Sequence, residues 1–182
     1  MTDTTSNTIS NAAAGTKTAS LTIDSPVGAL TLVERDGAIV QLRWGGPAGS
    51  DETALLRTAA AQLSGYFFCE LKAFDLPLAP AGPDFHQAVW REMAAIPYGR
   101  TRTYGDLAAA TGGSAQSVGT ACGQNPIPII VPCHRVVAAN GKLGGFSGGT
   151  GVETKRALLA LENAQPPQTA DEGDKPRQGT LF

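Results

Sequence analysis

The sequence predicts a mixed α/β (α+β) protein of two small domains in series: a strand-rich N-terminal half and a helical C-terminal half containing a helix-turn-helix. Three observations carry this. Residues Leu21 to Trp44 alternate apolar with polar positions and break twice at turn residues. Residues 76–83, Leu-Pro-Leu-Ala-Pro-Ala-Gly-Pro, form a proline-punctuated linker. Beyond them, apolar positions recur at helical spacing in short runs divided by glycine and proline. With 182 residues, 42% of them apolar, the chain has material for a real core.

The first twenty residues are rich in Ser, Thr, Ala and Asn and lack the apolar run of a signal peptide or membrane span, so 1–20 is predicted to be a disordered leader. From Leu21 to Trp44 the breaks at Ser25-Pro26-Val27-Gly28 and Asp36-Gly37 divide the alternation into a meander of three short strands. After a loop, Asp51-Glu52-Thr53 starts a helix with Leu55, Leu56, Ala59 and Leu63 on its apolar face. Tyr66-Phe67-Phe68-Cys69 is expected to anchor the next element in the core, with structural roles for Cys69 and Trp44. Residues 21–76 thus read as a small α/β domain and 77–83 as the linker.

In the second domain, 84–163, Asp84 is expected to cap a helix that carries Phe85, Val89, Trp90 and Met93 and runs to Ala95. His86 falls in its first turn and reads as a solvated surface residue. After the break at Ile96-Pro97-Tyr98-Gly99-Arg100, Thr103 caps a short helix through Ala110. Gly112-Gly113 ends it, and Ser114 caps a third from Ala115 to Cys122. Two short helices across a tight glycine turn outline a helix-turn-helix. Ala139-Asn140-Gly141-Lys142 reads as a hairpin turn, Leu143 to Gly149 as a glycine-rich loop, and Val152 to Glu162 as a closing helix with Leu158, Leu159 and Leu161 inward. Residues 164–182, rich in Pro, Gln and charge, are predicted to be a disordered tail.

The chemistry gathers in Asn125-Pro126-Ile127-Pro128-Ile129-Ile130-Val131-Pro132-Cys133-His134-Arg135-Val136-Val137. Its Ile and Val run, fenced by prolines, reads as a short buried strand that presents Cys133 where the chain must turn. His134 supplies a titratable nitrogen beside the thiol, so a nucleophilic thiolate can form there.

Charge and cysteine usage narrow the function. The chain has a formal charge of −2, yet residues 85–162 hold seven Lys or Arg against four acids while 1–84 is net acidic, so only the second half has the sign that favours a phosphate backbone. Three cysteines, Cys69, Cys122 and Cys133, form no Cys-x-x-Cys pair, and the odd count points to a reducing cytoplasm. With only His86 and His134 besides, far apart, no metal-ligand spacing exists and no metal site is expected. Nothing in P-loop spacing follows the glycine-rich loop.

The string Asn-Pro-x-Pro-x-x-x-Pro-Cys-His-Arg-Val closely resembles the active-site motif of the O6-alkylguanine-DNA alkyltransferases, and the likeness extends from Phe85 through Tyr104-Gly105-Asp106-Leu107-Ala108 to Ser147-Gly148-Gly149 and Lys155 to Glu162. The resemblance implies a ribonuclease-H-like N-terminal domain and a winged-helix-like helix-turn-helix alkyltransferase domain. It implies a cytoplasmic, nucleoid-associated monomer that binds duplex DNA with an alkylated guanine from the minor groove. The base is flipped out, and the alkyl group moves from O6 to Cys133 once per molecule, with no cofactor and no membrane contact; O4-alkylthymine is a further candidate substrate. By the same resemblance, His134 deprotonates Cys133 through a water, Glu162 orients His134, and Asn125 braces the turn. Tyr104 turns the phosphate and gives the departing guanine a proton. Ser147, Phe146, Leu143, Pro128 and Gly148 form the substrate pocket, with Ser147 on the guanine O6. Ser114, Ala115, Gln116, Ala121, Arg102 and Thr103 meet the DNA, whereas Arg135 is a structural ion-pair donor. A structural zinc found in some relatives lacks its cysteines here.

Two positions depart from the family pattern. Gln116 stands where relatives commonly carry an arginine that fills the gap left by the base, which predicts weaker flipping or binding. Phe146 stands where some carry tyrosine, keeping the stacking wall without the hydroxyl. A lesion-binding protein that does not react is the alternative reading, disfavoured by Cys133, His134 and Glu162. A cysteine hydrolase is disfavoured because adjacent Cys and His make a poor dyad. Finally, Gln178-Gly179-Thr180-Leu181-Phe182 resembles the peptides by which bacterial DNA-maintenance proteins dock on the sliding clamp.

Overall fold

The computed structural model describes residues 17–139 and 141–164; the expected leader up to Thr16, the expected tail from Gln165, Asn140 and the Gln178–Phe182 peptide lie outside the described residues. Three strands, β1 (Thr18–Ile23), β2 (Leu30–Arg35) and β3 (Ala38–Trp44), form an antiparallel sheet in the order β1-β2-β3. β1 begins three residues before Leu21, with Ala19 buried, so the sheet takes in residues that composition alone assigned to the leader. Asp36 and Gly37 both adopt positive φ, 51° and 79°, and join β2 to β3 with Arg35 opposite Ala38. Such a two-residue turn matches strand twist. The register slips by one between Val33 and Glu34, leaving Val40 as the extra residue of a bulge on β3.

Helix α1 (Ala54–Phe67) covers the sheet. Thr53 caps it by accepting the Leu56 N–H, while its hydroxyl donates to Glu34 on β2. Leu56, Ala59, Leu63 and Tyr66 are buried; Leu55 is only half-buried. Of the aromatic run at its end, Tyr66 alone is fully buried, whereas Phe68 is 75% exposed and Cys69 is exposed at a left-handed φ of 60°. That run therefore anchors through one ring.

The proline-rich segment 76–83 is tied to the sheet. Ile39 donates its N–H to the Pro77 carbonyl (2.8 Å) and accepts from the Ala79 N–H (3.0 Å), a parallel bridge on the free edge of β3. A single cluster of buried side chains then continues from Leu30, Leu32, Ile39 and Leu42 through Val89, Trp90 and Met93 to Val118, Ile127 and Leu158.

Helix α2 (Asp84–Ala94) starts on Pro83 with no side-chain cap, so Asp84 is its first residue and meets the helix dipole by charge. His86 is half-buried against Trp90 (ring centroids 5.9 Å apart), which corrects its reading as a solvated residue. Strand β4 (Arg102–Thr103) leads into α3 (Tyr104–Thr111), capped by a reciprocal Thr103–Asp106 box. Gly112 ends α3 in the left-handed region, φ 70°, where a side chain would be strained. Ser114 and Ser117 form a second box that starts α4 (Ala115–Gly123), completing the helix-turn-helix. β5 (Val136–Val137) pairs in parallel with β4, and α5 (Val152–Leu161) closes the fold with Thr154, Lys155, Leu158 and Leu159 inward and Leu161 half-buried. Among the described residues no helix is long and apolar enough to cross a membrane.

Candidate active site

The Ile/Val run before Cys133 is buried, as its composition demands, but it is not a strand. Pro126, Pro128 and Pro132 remove the N–H groups a ladder would need, and the segment folds back on itself. The Val131 N–H donates to the Ile127 carbonyl and the Cys133 N–H to the Val131 carbonyl, both at 2.9 Å. Ile129 lies at φ 73°, a costly conformation for a β-branched residue. Asn125 holds the turn from inside: its Nδ2 donates to the Val131 carbonyl (2.7 Å) and its Oδ1 accepts the Ile127 N–H (3.0 Å). From the other side the Leu42 N–H of β3 donates to the Pro126 carbonyl at 2.9 Å. The chain then winds into a 3₁₀ turn, Cys133–Arg135, leaving Cys133 only 7% exposed and His134 fully buried. The thiol is more enclosed than its proline-fenced setting suggests.

Glu162, the residue that ends α5, is the hub behind the cysteine. Its Oε1 accepts from His134 Nε2 (2.7 Å), Tyr66 Oη (2.8 Å) and Arg135 Nη2 (2.9 Å); its Oε2 accepts from Arg135 Nε (2.9 Å) and the Gly99 N–H (3.2 Å). Arg135 also donates to the Ile96 carbonyl. Burial alone would raise the Glu162 pKa, but hydrogen bonds and charge from His134 and Arg135 outweigh it and hold it at about 2. Glu162 is therefore ionised at neutral pH and held in place by these donors. Burial lowers the basicity of His134, partly opposed by Glu162. The other ring nitrogen, Nδ1, is buried with no partner among protein atoms.

Burial raises the pKa of Cys133, against which work the Asn125 side chain, the charge of Lys155, and the backbone N–H groups of Cys133 and His134. The thiol is thus neutral at rest, in a surround that favours the thiolate once formed. Lys155 is itself fully buried. Its Nζ donates to the Val136 carbonyl (2.6 Å) and the Gly145 carbonyl (3.4 Å) and lies 5.8 Å from the centre of the Tyr104 ring. Burial, then the nearby Cys122 and Cys133, pushes the Tyr104 phenol up to about 12.

Two cavities meet at Cys133. The first, about 490 Å³, is walled by Tyr104, Phe146, Ser147 and Gly145 and opens along α4 at Ala115, Gly119 and Gly123. The second, about 360 Å³, runs between β3 (Gln41 to Trp44) and the residues Asn125, Pro128, Ser147 and Gly148. The glycine at 148 is required, because a Cβ there would collide with the Trp44 indole. Trp44 in turn meets Phe146 edge to face at 6.0 Å. Leu143 is half-buried and lines neither cavity, which corrects its expected place in the wall.

Of the residues expected at the DNA, Ser114, which caps α4, and Ala115 and Gln116 in its first turn are exposed. Ala121 is not: it is fully buried, and its carbonyl accepts the Trp90 indole N–H at 2.8 Å. Arg102 is committed to Glu92 (2.8 Å) and to the Asp106 carbonyl, and Thr103 to its capping box. Tyr66 and Lys155 were not identified as site residues, and only Lys155 left a signal: it falls on the same face of α5 as Leu158 and Leu159. Among the described residues no group of three or more His, Cys, Asp or Glu could hold a metal ion.

Comparison with known proteins gives one answer. A family model described as 6-O-methylguanine DNA methyltransferase, DNA binding domain, matches residues 84–164. The methylated-DNA–protein-cysteine methyltransferase of Mycolicibacterium paratuberculosis is 43% identical over 155 residues, covering 80% of this chain and 93% of its own. The protein of that name from Mycobacterium tuberculosis is 44% identical over 160 residues, with the same coverage. The crystal structure of the M. tuberculosis O6-methylguanine methyltransferase superposes with a TM-score of 0.72 at 42% identity, over 84% of this chain and 97% of that one. That of M. tuberculosis OGT in complex with DNA gives 0.71 at 45% identity, over 79% and 92%.

Proposed function

The chain belongs to the O6-methylguanine DNA methyltransferase family, and we propose that Cys133 is the residue on which its reaction ends. The protein binds DNA and repairs it by moving an alkyl group onto a cysteine of its own. One observation carries the assignment of Cys133: it lies where two cavities meet, with the buried His134–Glu162 pair directly behind it.

The substrate is O6-alkylguanine within duplex DNA. Stacking hides the O6 substituent, so the nucleotide turns out of the helix at a cost of roughly a few kcal/mol and enters the first cavity past α4. The face of α4 that lines the cavity, with Ala115 and Gly123 exposed and Gly119 half-buried, is slim enough to lie in a minor groove. Tyr104 and Phe146 flank the base and Ser147 meets its O6, while Pro128 and Gly148 bound the space beside the transferred group. A water bridges the orphaned Nδ1 of His134 to the Cys133 thiol, which suits a buried polar atom with no protein partner. His134 takes the thiol proton through that water, and the resulting imidazolium rests on the Glu162 carboxylate. The thiolate attacks the alkyl carbon, the C–O6 bond breaks with its electrons passing to guanine, and the Tyr104 hydroxyl donates a proton to the departing base. The thioether has no route back, so each molecule acts once.

The described elements divide the labour: residues 84–163 hold the nucleophile and the helix-turn-helix, while 21–76 are the scaffold behind them. DNA binding holds the protein at the nucleoid. The terminal Gln178-Gly179-Thr180-Leu181-Phe182 docks on a sliding clamp through an apolar pair and a glutamine; deletion of Gln178 to Phe182 is expected to abolish clamp capture in a pull-down, and unchanged capture overturns that reading.

The deciding test is mass spectrometry of the intact protein mixed with an O6-methylguanine duplex. One methyl group per molecule is expected, mapping to Cys133, and none on Cys133→Ser. Tight binding of the duplex with no mass gain would make this a lesion-binding protein and overturn the assignment.

A further inference from the structure

The pair behind the nucleophile is not completed within the C-terminal half. Glu162 must present one particular oxygen to His134, and a carboxylate on the capping residue just past a helix can rotate. Arg135 and the Gly99 N–H fix Oε2, and Arg135 reaches across to Oε1. The third donor to Oε1 comes from α1, more than ninety residues earlier: the Tyr66 hydroxyl, 2.8 Å from the oxygen that His134 Nε2 contacts at 2.7 Å. Tyr66 is fully buried, and its ring is held by Phe67, Phe74 and Tyr98 at centroid distances of 5.3, 5.5 and 6.1 Å. A buried phenol is a strong, rigid donor, and burial followed by the charge of Glu162 raises its pKa, so it stays protonated.

We propose that Tyr66 is a positioning residue for the transfer reaction, through which the N-terminal half sets the orientation and basicity of His134. This rests on the reading of His134 as the base. The groups facing the Glu162–His134 pair are Tyr66 from α1, Tyr98 and the Gly99 N–H from the turn after α2, Arg135 from the 3₁₀ turn, and Lys155 from α5, whose charge reaches His134. Of these, only the Tyr66 hydroxyl and Arg135 share Oε1 with His134. The tyrosine draws electron density from that oxygen. Without it, Oε1 bonds the imidazolium more strongly and His134 becomes more basic, while the carboxylate loses one of its fixed points.

Tyr66→Phe removes the hydroxyl and keeps every ring contact, which separates positioning from packing. The single-turnover rate of alkyl transfer is measured against pH for wild type and variant. The expected result is an acidic limb moved to higher pH, because His134 must be neutral to accept the thiol proton, with a plateau lowered by about tenfold as for one lost charge-assisted bond. A second measurement stands apart from activity: the imidazole signals of the chain's two histidines are titrated by NMR in Cys133→Ser and in Cys133→Ser with Tyr66→Phe, with His86→Gln for assignment. His134 is expected to take its proton at higher pH in the double variant. A wild-type limb position in Tyr66→Phe, whatever its rate, overturns the inference, as does an unmoved His134 titration. If the wild type itself places no alkyl group on Cys133, the reading of the site fails instead, and the two failures are thereby told apart.

Discussion

Glu162 decides how the molecule answers to pH. Its folded pKa, about 2, lies below its ordinary 4.5, so its contribution to stability is present above that value and is lost as pH falls toward 2. His134 acts in the same direction from higher up. Burial lowers its folded pKa below 6.5, so as pH falls past 6.5 the unfolded chain binds a proton that the folded one does not. The thermal midpoint is expected to decline in two stages on acidification, first below pH 6.5 and again below about 4.5, and Glu162→Gln should remove most of the second stage in a melting series. Lys155 sets the other electrostatic condition. It is a buried cation whose Nζ donates to two backbone carbonyls, and its charge favours the Cys133 thiolate. Lys155→Met should raise the thiol pKa further, and one unit of rise means about tenfold less thiolate and a correspondingly slower single-turnover transfer. An unchanged rate at neutral pH would remove Lys155 from the electrostatic account.

At the scale of elements, the turn that carries Cys133 depends on one side chain. Asn125→Ala would remove both side-chain hydrogen bonds, leaving the Ile127 N–H unpaired and the Val131 carbonyl with the Cys133 N–H as its remaining donor, a loss of about 1–3 kcal/mol that denaturant unfolding would register. Helix α4 makes a separate prediction. Gln116 is exposed at its first turn and carries no charge, so Gln116→Arg should tighten DNA binding and steepen its salt dependence by about one unit of slope; equal affinity at two salt concentrations would remove α4 from the interface. The helix-turn-helix was legible in the sequence because its signals are local: Thr103 with Asp106, the Gly112-Gly113 stop, and Ser114 with Ser117 all act within four residues. The Ile127–Val131 run misled because hydrophobicity reports burial and is silent on backbone path, while the prolines that forbid a ladder can also be accommodated at a strand's edge. Tyr66 had no local signal. Its role follows from a partner ninety-six positions away, and a tyrosine at the end of an amphipathic helix looks like any other core residue.

For the molecule as a whole, the two halves are joined by more than the chain that links them. The edge of β3 gives its Ile39 N–H to Pro77 and its Leu42 N–H to Pro126, so the same strand secures the proline-rich segment and the loop that precedes the nucleophile. Trp44 at the end of β3 packs on Phe146 in the cavity wall, and Tyr66 of α1 reaches Glu162. The last two of these contacts end on site residues, Phe146 and Glu162, and the buried side chains form one cluster across residues 76–83. Unfolding the N-terminal half alone would expose Tyr66, Leu42 and Ile39 together and strip the C-terminal half of its backing, so neither half has an independent unfolding equilibrium to follow. Denaturant unfolding of the full chain should therefore give one transition, coincident by far-UV circular dichroism and by fluorescence, since Trp44 reports on the first half and Trp90 on the second. Residues 84–164 expressed alone should keep the helices of the helix-turn-helix, whose caps are local, yet transfer alkyl groups far more slowly, because Glu162 would have lost its phenolic donor and the Cys133 loop its anchor on β3. Two separated transitions, or a fragment that reacts at the full chain's rate, would mean that the sheet is only an appendage to the half that carries the chemistry.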